Sequence, residues 1–374
     1  MSDWFGKDVF KLGFGLMRLP HNADGSVDMP QVCEMVDRFI AAGGTYFDTA
    51  YVYDMGKSEA AFKKAVVDRY TRDKFTICTK INAWEQCTDE ASCKQQFYTS
   101  LERTGAGYFD YYLLHGLMAN NYTKFDDYHI WDFVKEQKAK GLIKHWGFSF
   151  HASPELLDQI LTAHPDVDFI QLQINYADWE DERIASKACW EIARKHGKSI
   201  TVMEPIKGGA LADPIPAVKD IFRQANPALS PASWAIRFVA SLEGIITVLS
   251  GMSNLEQMED NLSYMKNFQA LNEEEKQVIL NARAAIDAVD SIKCTGCRYC
   301  VEGCPMSIPI PDIFSARNQQ LMYNNTAGAK RQYSWRTNGK GKASDCLQCG
   351  QCEGACPQHL PIITLLQKCA ANLE

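Results

Sequence analysis

The sequence reads Gly44-Thr45-Tyr46-Phe47-Asp48, a short, mostly apolar run that ends in a carboxylate. Seven similar runs lie between residues 10 and 250. The eight candidate strands are 11–17, 44–48, 75–79, 109–114, 143–148, 168–174, 199–203 and 245–249. Short runs rich in β-branched and aromatic residues are typical of parallel strands that are covered on both faces.

Helical patterns separate these runs. Asp28 is a candidate N-cap for a helix whose apolar side chains recur at helical spacing from Val32 to Ile40. Further helices are predicted at 59–67 and 89–103, capped by Ser58 and Thr88, at 126–140 and 182–196, and after Ser153 and Ser230. Strands that alternate with helices predict an α/β fold, a (β/α)8 TIM barrel. An open doubly wound sheet is the alternative, but no G-x-G-x-x-G motif follows the first strand.

Two cysteine runs with one spacing, C-x2-C-x2-C-x3-C-P, stand after the barrel pattern. This spacing binds two [4Fe–4S] clusters in bacterial ferredoxins, where the fourth cysteine of each run ligates the other cluster. The expected ligand sets are Cys294, Cys297, Cys300 and Cys356 for one cluster, and Cys346, Cys349, Cys352 and Cys304 for the other. Disulfides and zinc are the alternatives, and the repeated spacing favours clusters. The region resembles a small two-cluster ferredoxin-like domain.

The pattern divides the chain into a barrel at 1–271, a connecting helix at 272–289 and an iron–sulfur domain at 290–374. Between the cysteine runs, residues 312–323 are predicted to be helical and 324–344 to form a basic surface loop. The basic residues are interpreted either as a solvated face or as a docking patch for an acidic electron carrier.

Charge and composition narrow the function classes. The formal net charge of -7 argues against nucleic acid as a partner. No run approaches the ~18 apolar residues of a membrane-spanning helix. Of the 14 cysteines, eight belong to the two runs. Oxygen-sensitive clusters predict a reducing cytoplasm.

Polar residues follow three successive strands of the predicted barrel. Asp48 ends the second strand and Tyr53 follows it, Lys80 ends the third, and His115 ends the fourth. Active sites of such barrels lie at the carboxyl ends of the strands. A tyrosine beside an ammonium group can donate a proton to a carbonyl oxygen, while a carboxylate holds the lysine and a neutral imidazole binds the oxygen. Taken singly, each residue has a structural interpretation.

At this point the chain resembles the aldo-keto reductase family over about residues 8–270. The matching motifs are Leu12-Gly13-Phe14-Gly15, Asp48-Thr49-Ala50, Gly56-x-Ser58-Glu59, Thr79-Lys80, Leu113-Leu114-His115 and Gly147-x-Ser149. The resemblance implies that Asp48, Tyr53, Lys80 and His115 form a catalytic tetrad. It also implies NAD(P)H-dependent reduction of a carbonyl, or oxidation of the alcohol, in the branch of the family that carries a fused ferredoxin-type tail.

The same resemblance implies a nucleotide site. Ser149 and Gln171 match carboxamide-binding positions, and Met203 stands where the family usually places an aromatic ring. The remaining candidates are Gly15 on the first strand, Lys207, Gly208 and Gly209 near the pyrophosphate, and Ser250, Gly251, Ser253, Gln257 and Asn261 around the adenosine phosphate. Ser253 and Gln257 favour NADP(H) over NAD(H). No secure flavin motif is present, but a flavin stays an open possibility because phosphate sites in barrels can hold flavin mononucleotide. Candidate substrate contacts are Arg18, Trp84 and His151.

Three hypotheses follow. In the first, the barrel reduces a small carbonyl substrate and the clusters exchange electrons with a ferredoxin- or flavodoxin-like partner. In the second, the chain is an electron-transfer subunit whose barrel only binds a cofactor or partner. In the third, the clusters are structural. A hydride carries two electrons and a cluster passes one, so direct exchange between nicotinamide and cluster is chemically awkward.

Overall fold

The computed structural model describes residues 9–84, 87–182, 184–294, 296–356 and 358–374. These residues form two compact units. The first comprises the described residues up to Ile206 together with Ser233–Glu273, and the second comprises Lys207–Ala232 and Glu274–Glu374. The division differs from the predicted boundaries in two respects. The segment after the seventh strand groups with the second unit, and so does the predicted connecting helix from Glu274 onward.

The first unit is a closed barrel of eight parallel strands in chain order. Its strands are β1 (Leu12–Gly15), β2 (Tyr46–Asp48), β3 (Thr76–Ile81), β4 (Phe109–Leu117), β5 (Ile143–Phe150), β6 (Phe169–Gln173), β7 (Ser199–Met203) and β8 (Ile245–Ser250). β8 pairs with β1, which closes the sheet. The predicted barrel is therefore confirmed, and the open doubly wound alternative is wrong.

Strand β5 shows why the barrel needs glycine at one position. A Cβ atom on Gly147 would lie 1.9 Å from the carbonyl oxygen of Phe169 on β6. Backbones that approach so closely leave no room for a side chain. Gly147 pairs with Phe169 in the parallel register, so the glycine of the Gly147-x-Ser149 motif fixes how β6 lies beside the strand that carries Ser149.

Helices alternate with the strands. They are α1 (Met29–Ala41), α2 (Lys57–Phe62), α3 (Glu90–Thr104), α4 (Thr123–Asp127), α5 (Ile130–Ala139), α6 (Pro154–Ala163), α7 (Ser186–Lys195), α8 (Pro216–Ala225), α9 (Pro231–Ala240) and α10 (Leu255–Met265). Helix α8 belongs to the second unit. The single helix predicted over 126–140 is divided into α4 and α5, because His129 between them has a positive φ of 49°.

Two of the predicted helix caps are correct and two are wrong. Asp28 accepts from the Gln31 N–H and Ser153 from the Leu156 N–H, as N-cap side chains do. Ser58 lies inside α2, and its buried hydroxyl donates to the Leu16 carbonyl. Asp89 caps α3 in place of Thr88, with Ser92 completing a capping box.

The C-terminal part of the second unit consists of helices joined by loops, with no strand among its described residues. Its helices are α11 (Glu273–Asp287), α12 (Tyr299–Glu302), α13 (Ile310–Tyr323), α14 (Thr326–Thr337), α15 (Gln351–Gly354) and α16 (Ile362–Leu373). The surface loop predicted over 324–344 is wrong in its first half, which forms α14 under an Asn325 cap. Ala329 and Tyr333 of this helix are buried in the same apolar core as Phe314 and Leu366.

The two cysteine runs repeat in backbone as well as in sequence. Gly296 and Gln348, each two residues after the first cysteine of its run, have positive φ values of 74° and 56°. Ser307 and His359, each three residues after the fourth cysteine, have φ values of 51° and 49°. Each run thus reverses direction at corresponding positions before a helix begins at Ile310 or Ile362. Pro357 lies outside the described residues.

Within the described ranges, no helix has both the length and the apolar character required to cross a bilayer.

Candidate active site and cysteine-lined cavities

A buried ion pair occupies the carboxyl ends of β2 and β3. Lys80 is fully buried, and its Nζ donates to Asp48 Oδ1 at 2.6 Å and to the Thr49 carbonyl at 2.7 Å. Burial by itself disfavours the ammonium, but the Asp48 carboxylate and the Tyr53 phenol raise the pKa of Lys80 above its ordinary value. Lys80 therefore carries a positive charge inside the barrel.

Tyr53 lies over this charge. It begins a short turn, Tyr53–Gly56, in which Asp54 and Met55 have positive φ values of 47° and 55°. The Lys80 Nζ is 4.8 Å from the centre of the Tyr53 ring. Burial raises the pKa of the Tyr53 phenol, and the Lys80 ammonium opposes that rise. The net direction is upward, whereas the sequence argument expected the lysine to lower it, so the phenol keeps its proton at neutral pH.

His115 of β4 forms the next wall of the site. Its ring centre is 5.7 Å from that of Tyr53 and 5.2 Å from that of Trp84. Its Nδ1 has no hydrogen-bond partner among the described residues. Burial, reinforced by the Lys80 charge, holds the pKa of His115 well below its usual range. The imidazole is therefore neutral at pH 7, and the structure brings together all four residues of the predicted tetrad.

A second set of polar residues, to which no role was assigned from the sequence, supports the loop that carries Tyr53. Thr79 donates to Glu59 Oε1 at 2.7 Å, and Arg103 of α3 lies 3.5 Å from the other Glu59 oxygen. Arg103 also donates to the Tyr51 carbonyl at 3.2 Å. Burial raises the pKa of Glu59. The Gly56-x-Ser58-Glu59 motif was a signal for Glu59, but no sequence signal marks Arg103.

Ser149 and Gln171 adjoin the tetrad from β5 and β6. The Gly116 N–H, which follows His115, donates to Ser149 Oγ at 2.7 Å. Gln171 Nε2 donates to Asp48 Oδ2 at 3.2 Å, so it holds the second oxygen of the carboxylate that pairs with Lys80. Both side chains are buried. They belong to the hydrogen-bond environment of the tetrad.

The residues predicted for the adenosine phosphate form two separate groups. Asn261 of α10 donates to Ser250 Oγ at 2.6 Å in a buried site and accepts from the Tyr264 hydroxyl. The Ser253 N–H donates to the Gln257 side chain at 2.7 Å, and Ser253 Oγ donates to the Arg18 carbonyl at 2.8 Å.

Arg18 lies with this second group. Its side chain passes Gly251, where a Cβ atom would lie 3.6 Å from Arg18 Cδ, and its guanidinium is 3.9 Å from Glu204 after β7. The hydrogen bond from Ser253 Oγ to the Arg18 carbonyl also joins the loop after β8 to the turn after β1. Of the three candidate substrate contacts, only Trp84 packs on the tetrad. The His151 side chain is exposed, and the backbone N–H of His151 donates to the Leu117 carbonyl at the end of β4.

Five candidates for nucleotide binding remain, and they lie on three different elements. Gly15 ends β1, and a Cβ there would lie 3.4 Å from the Ser250 carbonyl, so β1 and β8 approach closely. Met203 ends β7 and pairs with Gln173. Lys207, Gly208 and Gly209 form a short turn that groups with the second unit, where the Lys207 ammonium is 5.0 Å from the centre of the Tyr323 ring.

Two cavities lie among the cysteines of the second unit. One is lined by Cys304, Cys346, Cys349 and Cys352, and the other by Cys294, Cys297, Cys300 and Cys356. Each cavity therefore receives three sulfurs from one run and the fourth from the other run. Among the described residues, no three potential ligands are arranged around a single metal ion. Cysteines drawn from both runs around each cavity are the arrangement that two-cluster ferredoxins use.

Comparison with known proteins assigns the family. A model of the Aldo/keto reductase family matches residues 11–281. The chain belongs to this family. A 4Fe-4S dicluster domain model matches residues 293–361 of the same chain. This aldo/keto reductase is thus an oxidoreductase that carries a C-terminal iron–sulfur domain.

Individual relatives match the barrel of this aldo/keto reductase. The uncharacterized oxidoreductase YqkF of Bacillus subtilis is 24% identical over 298 residues, which cover 72% of this chain and 90% of the relative. The aldo-keto reductase AKR11C1 from Bacillus halodurans in its holo form has a TM-score of 0.57 at 24% identity, over 73% of this chain and 91% of that one. An aldo-keto reductase from Klebsiella pneumoniae in complex with NADPH has a TM-score of 0.59 at 20% identity, over 74% of this chain and 92% of that one.

Proposed function

We propose that this aldo/keto reductase reduces a small carbonyl substrate with NADPH, or oxidises the corresponding alcohol, in a reducing cytoplasm. The observation that carries the proposal is a buried ion pair beneath the Tyr53 ring. The Lys80 Nζ lies 2.6 Å from Asp48 Oδ1 and 4.8 Å from the centre of the Tyr53 ring, and a neutral His115 stands beside them. A charged lysine, a protonated phenol and a neutral imidazole that meet at one barrel mouth form a proton-donating site.

Each residue of the tetrad has a distinct role in the proposal. Tyr53 donates its phenolic proton to the carbonyl oxygen, and burial keeps that proton on the phenol until a substrate arrives. Lys80 stabilises the negative charge left on the phenol. Asp48 keeps Lys80 charged and fixes its position. His115, neutral and partly exposed, contributes a hydrogen bond to the carbonyl oxygen.

The barrel residues fit a nicotinamide cofactor. NADP(H) would supply the hydride when bound. The buried Ser149 and Gln171 side chains lie beside the tetrad with polar groups that suit a carboxamide. Arg18, joined through Gly251 and Ser253 to the loop after β8, supplies a partly exposed cation for a nucleotide phosphate. The NADPH complex of the Klebsiella pneumoniae relative favours NADP(H) over NAD(H).

The cysteine cavities favour two [4Fe–4S] clusters that exchange electrons with a partner protein. In this proposal Cys294, Cys297, Cys300 and Cys356 hold one cluster, and Cys346, Cys349, Cys352 and Cys304 hold the other. Two cavities, each lined by four cysteines drawn from both runs, support electron transfer as a second function of the chain. An electron-transfer subunit without carbonyl chemistry and a reductase with structural clusters are the competing hypotheses.

The tetrad is tested by Tyr53→Phe in the full-length, cluster-loaded protein. We expect NADPH-dependent carbonyl turnover to fall about 10²–10⁴-fold, because the proton donor is lost. The matched control is Tyr98→Phe, which removes a hydroxyl from an exposed tyrosine of α3 and leaves turnover unchanged. Turnover that survives Tyr53→Phe would show that the assignment is wrong.

The cluster ligands are tested by pairing substitutions across the runs. Cys304→Ser and Cys349→Ser should remove the same cluster, because both residues line one cavity, and Cys356→Ser and Cys297→Ser should remove the other. Anaerobic iron analysis and electron paramagnetic resonance show which of the two clusters each variant retains. Cys33→Ser, a barrel thiol, is the control. If Cys304→Ser instead matched Cys297→Ser, each run would hold its own cluster.

The competing hypotheses are separated by one absorbance spectrum recorded without oxygen, before and after NADPH is added. A flavin band, or bleaching of the cluster absorbance by NADPH, would indicate electron traffic within the chain. Carbonyl turnover without bleaching would indicate separate roles for the barrel and the clusters. An absence of turnover with every carbonyl tested would favour the electron-transfer subunit.

A further inference from the structure

Helix α14 and the loop that follows it carry several exposed basic side chains. Lys330, Arg331, Arg336 and Lys340 are all exposed, and we define the basic surface by these four residues together with Trp335. Trp335 is 68% exposed, and the Arg336 guanidinium lies 4.3 Å from its ring centre. Ala329 and Tyr333 of the same helix pack into the domain core. The helix is therefore anchored to the domain while its basic side chains and Trp335 remain exposed.

The charges of the basic surface have no intramolecular counter-ions. Within the described ranges, Lys330, Arg331, Arg336 and Lys340 form no ion pair, although Arg298 in the same domain pairs with Asp312 at 3.1 Å. The whole chain carries a net charge of -7, so this concentration of uncompensated positive charge runs against the overall balance. Clustered charges of one sign steer a partner of the opposite sign.

The basic surface is continuous with the wall of one cysteine cavity. The loop after Lys340 packs so tightly that a Cβ atom on Gly341 would lie 2.2 Å from the Met306 carbonyl oxygen. Met306 lines the cavity of Cys304, Cys346, Cys349 and Cys352. In this same cavity Cys349 is exposed, and the neighbouring Leu347 is 64% exposed. A protein that docks on the basic surface would thus stand beside this cavity.

We propose that the basic surface is the docking site for a small acidic electron-carrier protein of the ferredoxin or flavodoxin class. Cys304, Cys346, Cys349 and Cys352 would hold the cluster that exchanges electrons with that carrier. In each encounter a reduced carrier would give up one electron to it, and no bond would form or break. The inference rests on the proposed cluster ligands. An exposed aromatic among basic residues also suits nucleic acid, but its position beside a cysteine cavity favours a redox protein.

Affinity for a carrier tests the docking site. The probes are a purified acidic two-cluster ferredoxin and, separately, an acidic flavodoxin, titrated at low and high salt into the cluster-loaded protein while Trp335 fluorescence and calorimetry are followed. We expect Arg331→Glu combined with Lys340→Glu to weaken carrier binding about tenfold or more at low salt, and high salt to reduce that difference. Lys64→Glu combined with Lys266→Glu, two exposed barrel lysines, changes the net charge equally and should leave binding unchanged.

The route of the electrons is tested by stopped-flow absorbance with the reduced carrier. Cys349→Ser should retain carrier binding but slow reduction of the remaining cluster about tenfold or more, whereas Cys297→Ser should leave fast reduction intact. Equal affinity of the two charge-reversed pairs, or binding of poly(U) RNA and not of either carrier, would overturn the docking proposal. Iron content and carbonyl turnover are also measured on the wild-type protein and the two charge-reversed pairs. Absence of iron or of turnover in the wild-type protein would count against the proposed function, whereas unchanged carrier affinity with normal iron content and turnover would count only against the docking site.

Discussion

Tyr53 and Lys80 illustrate how burial and charge act in opposite directions on one group. Burial raises the pKa of the phenol, the Lys80 ammonium lowers it, and the upward effect prevails. In the same site, burial and the Lys80 charge both lower the pKa of His115. The result is a protonated acid beside a neutral imidazole at pH 7. The proposed carbonyl reduction uses both states.

The pH dependence of turnover follows from these directions. Since the Tyr53 pKa lies above its ordinary value of ~10, the phenol stays protonated below that pH, and carbonyl reduction should decline only above pH ~10. Alcohol oxidation, which needs the deprotonated phenol, should rise toward the same pH. No acidic limb near pH 6.5 is expected from His115, because its pKa lies well below that value.

Initial rates from pH 5 to 10.5 in both directions check this profile. His115→Gln serves as the control for the acid side. If the wild-type protein had an acid limb near pH 6.5 that this variant lacked, His115 would titrate normally and would not be held neutral.

At the scale of single elements, the Gly341 loop is where the cluster domain tolerates least change. A Cβ atom there would meet the Met306 carbonyl at 2.2 Å, so Gly341→Ala must displace the wall of the Cys304–Cys352 cavity. We expect iron content to fall from about eight atoms per chain toward about four. The control is Gly303→Ala, where the nearest atom would be 3.7 Å away. Full iron content in Gly341→Ala, measured by anaerobic iron and sulfide analysis, would contradict the prediction.

The strands could be predicted because each is a continuous apolar run, which the interior of a closed parallel sheet requires. Helix α14 could not be predicted in the same way. It buries Gly328, Ala329, Tyr333 and Thr337, mostly small or polar residues, and its exposed face is basic. Its buried positions do recur at Ala329, Tyr333 and Thr337, and Asn325 caps it. A search for helical spacing among small residues would have found it.

The tetrad could be predicted because four chemically distinctive residues follow three successive strands. The support for Tyr53 could not, since Arg103 and Glu59 are separated by 44 residues and meet only through the packing of α3. Arg18 was predicted for substrate binding from its place after β1. The structure puts it against Gly251 and Glu204, because β1 and β8 are neighbours in a closed barrel.

At the scale of the whole molecule, the two units should respond differently to loss of iron. Cys300 and Cys352 belong to the apolar core of the second unit, whereas the barrel core is built from its own strands and helices. We expect iron removal with an anaerobic chelator to speed amide exchange about tenfold or more in α13, α14 and α16, and to leave the barrel strands unchanged.

Hydrogen exchange followed by mass spectrometry measures both units in one sample. Reconstitution with iron and sulfide should restore protection. An equal acceleration in β1–β8 would mean that the clusters also stabilise the barrel, and unchanged exchange throughout would mean that they contribute little to stability.

The interlocked cavities impose an order on the biogenesis of this protein. The cavity that begins with Cys294 lacks its fourth sulfur until Cys356 has been synthesised, and the other cavity takes Cys304 from upstream. Neither site is therefore complete until translation has passed the second run, long after the barrel strands have been made. With the proposed ligand sets, cofactor insertion would follow synthesis of both halves of the repeat, and deletion of either half would remove both clusters.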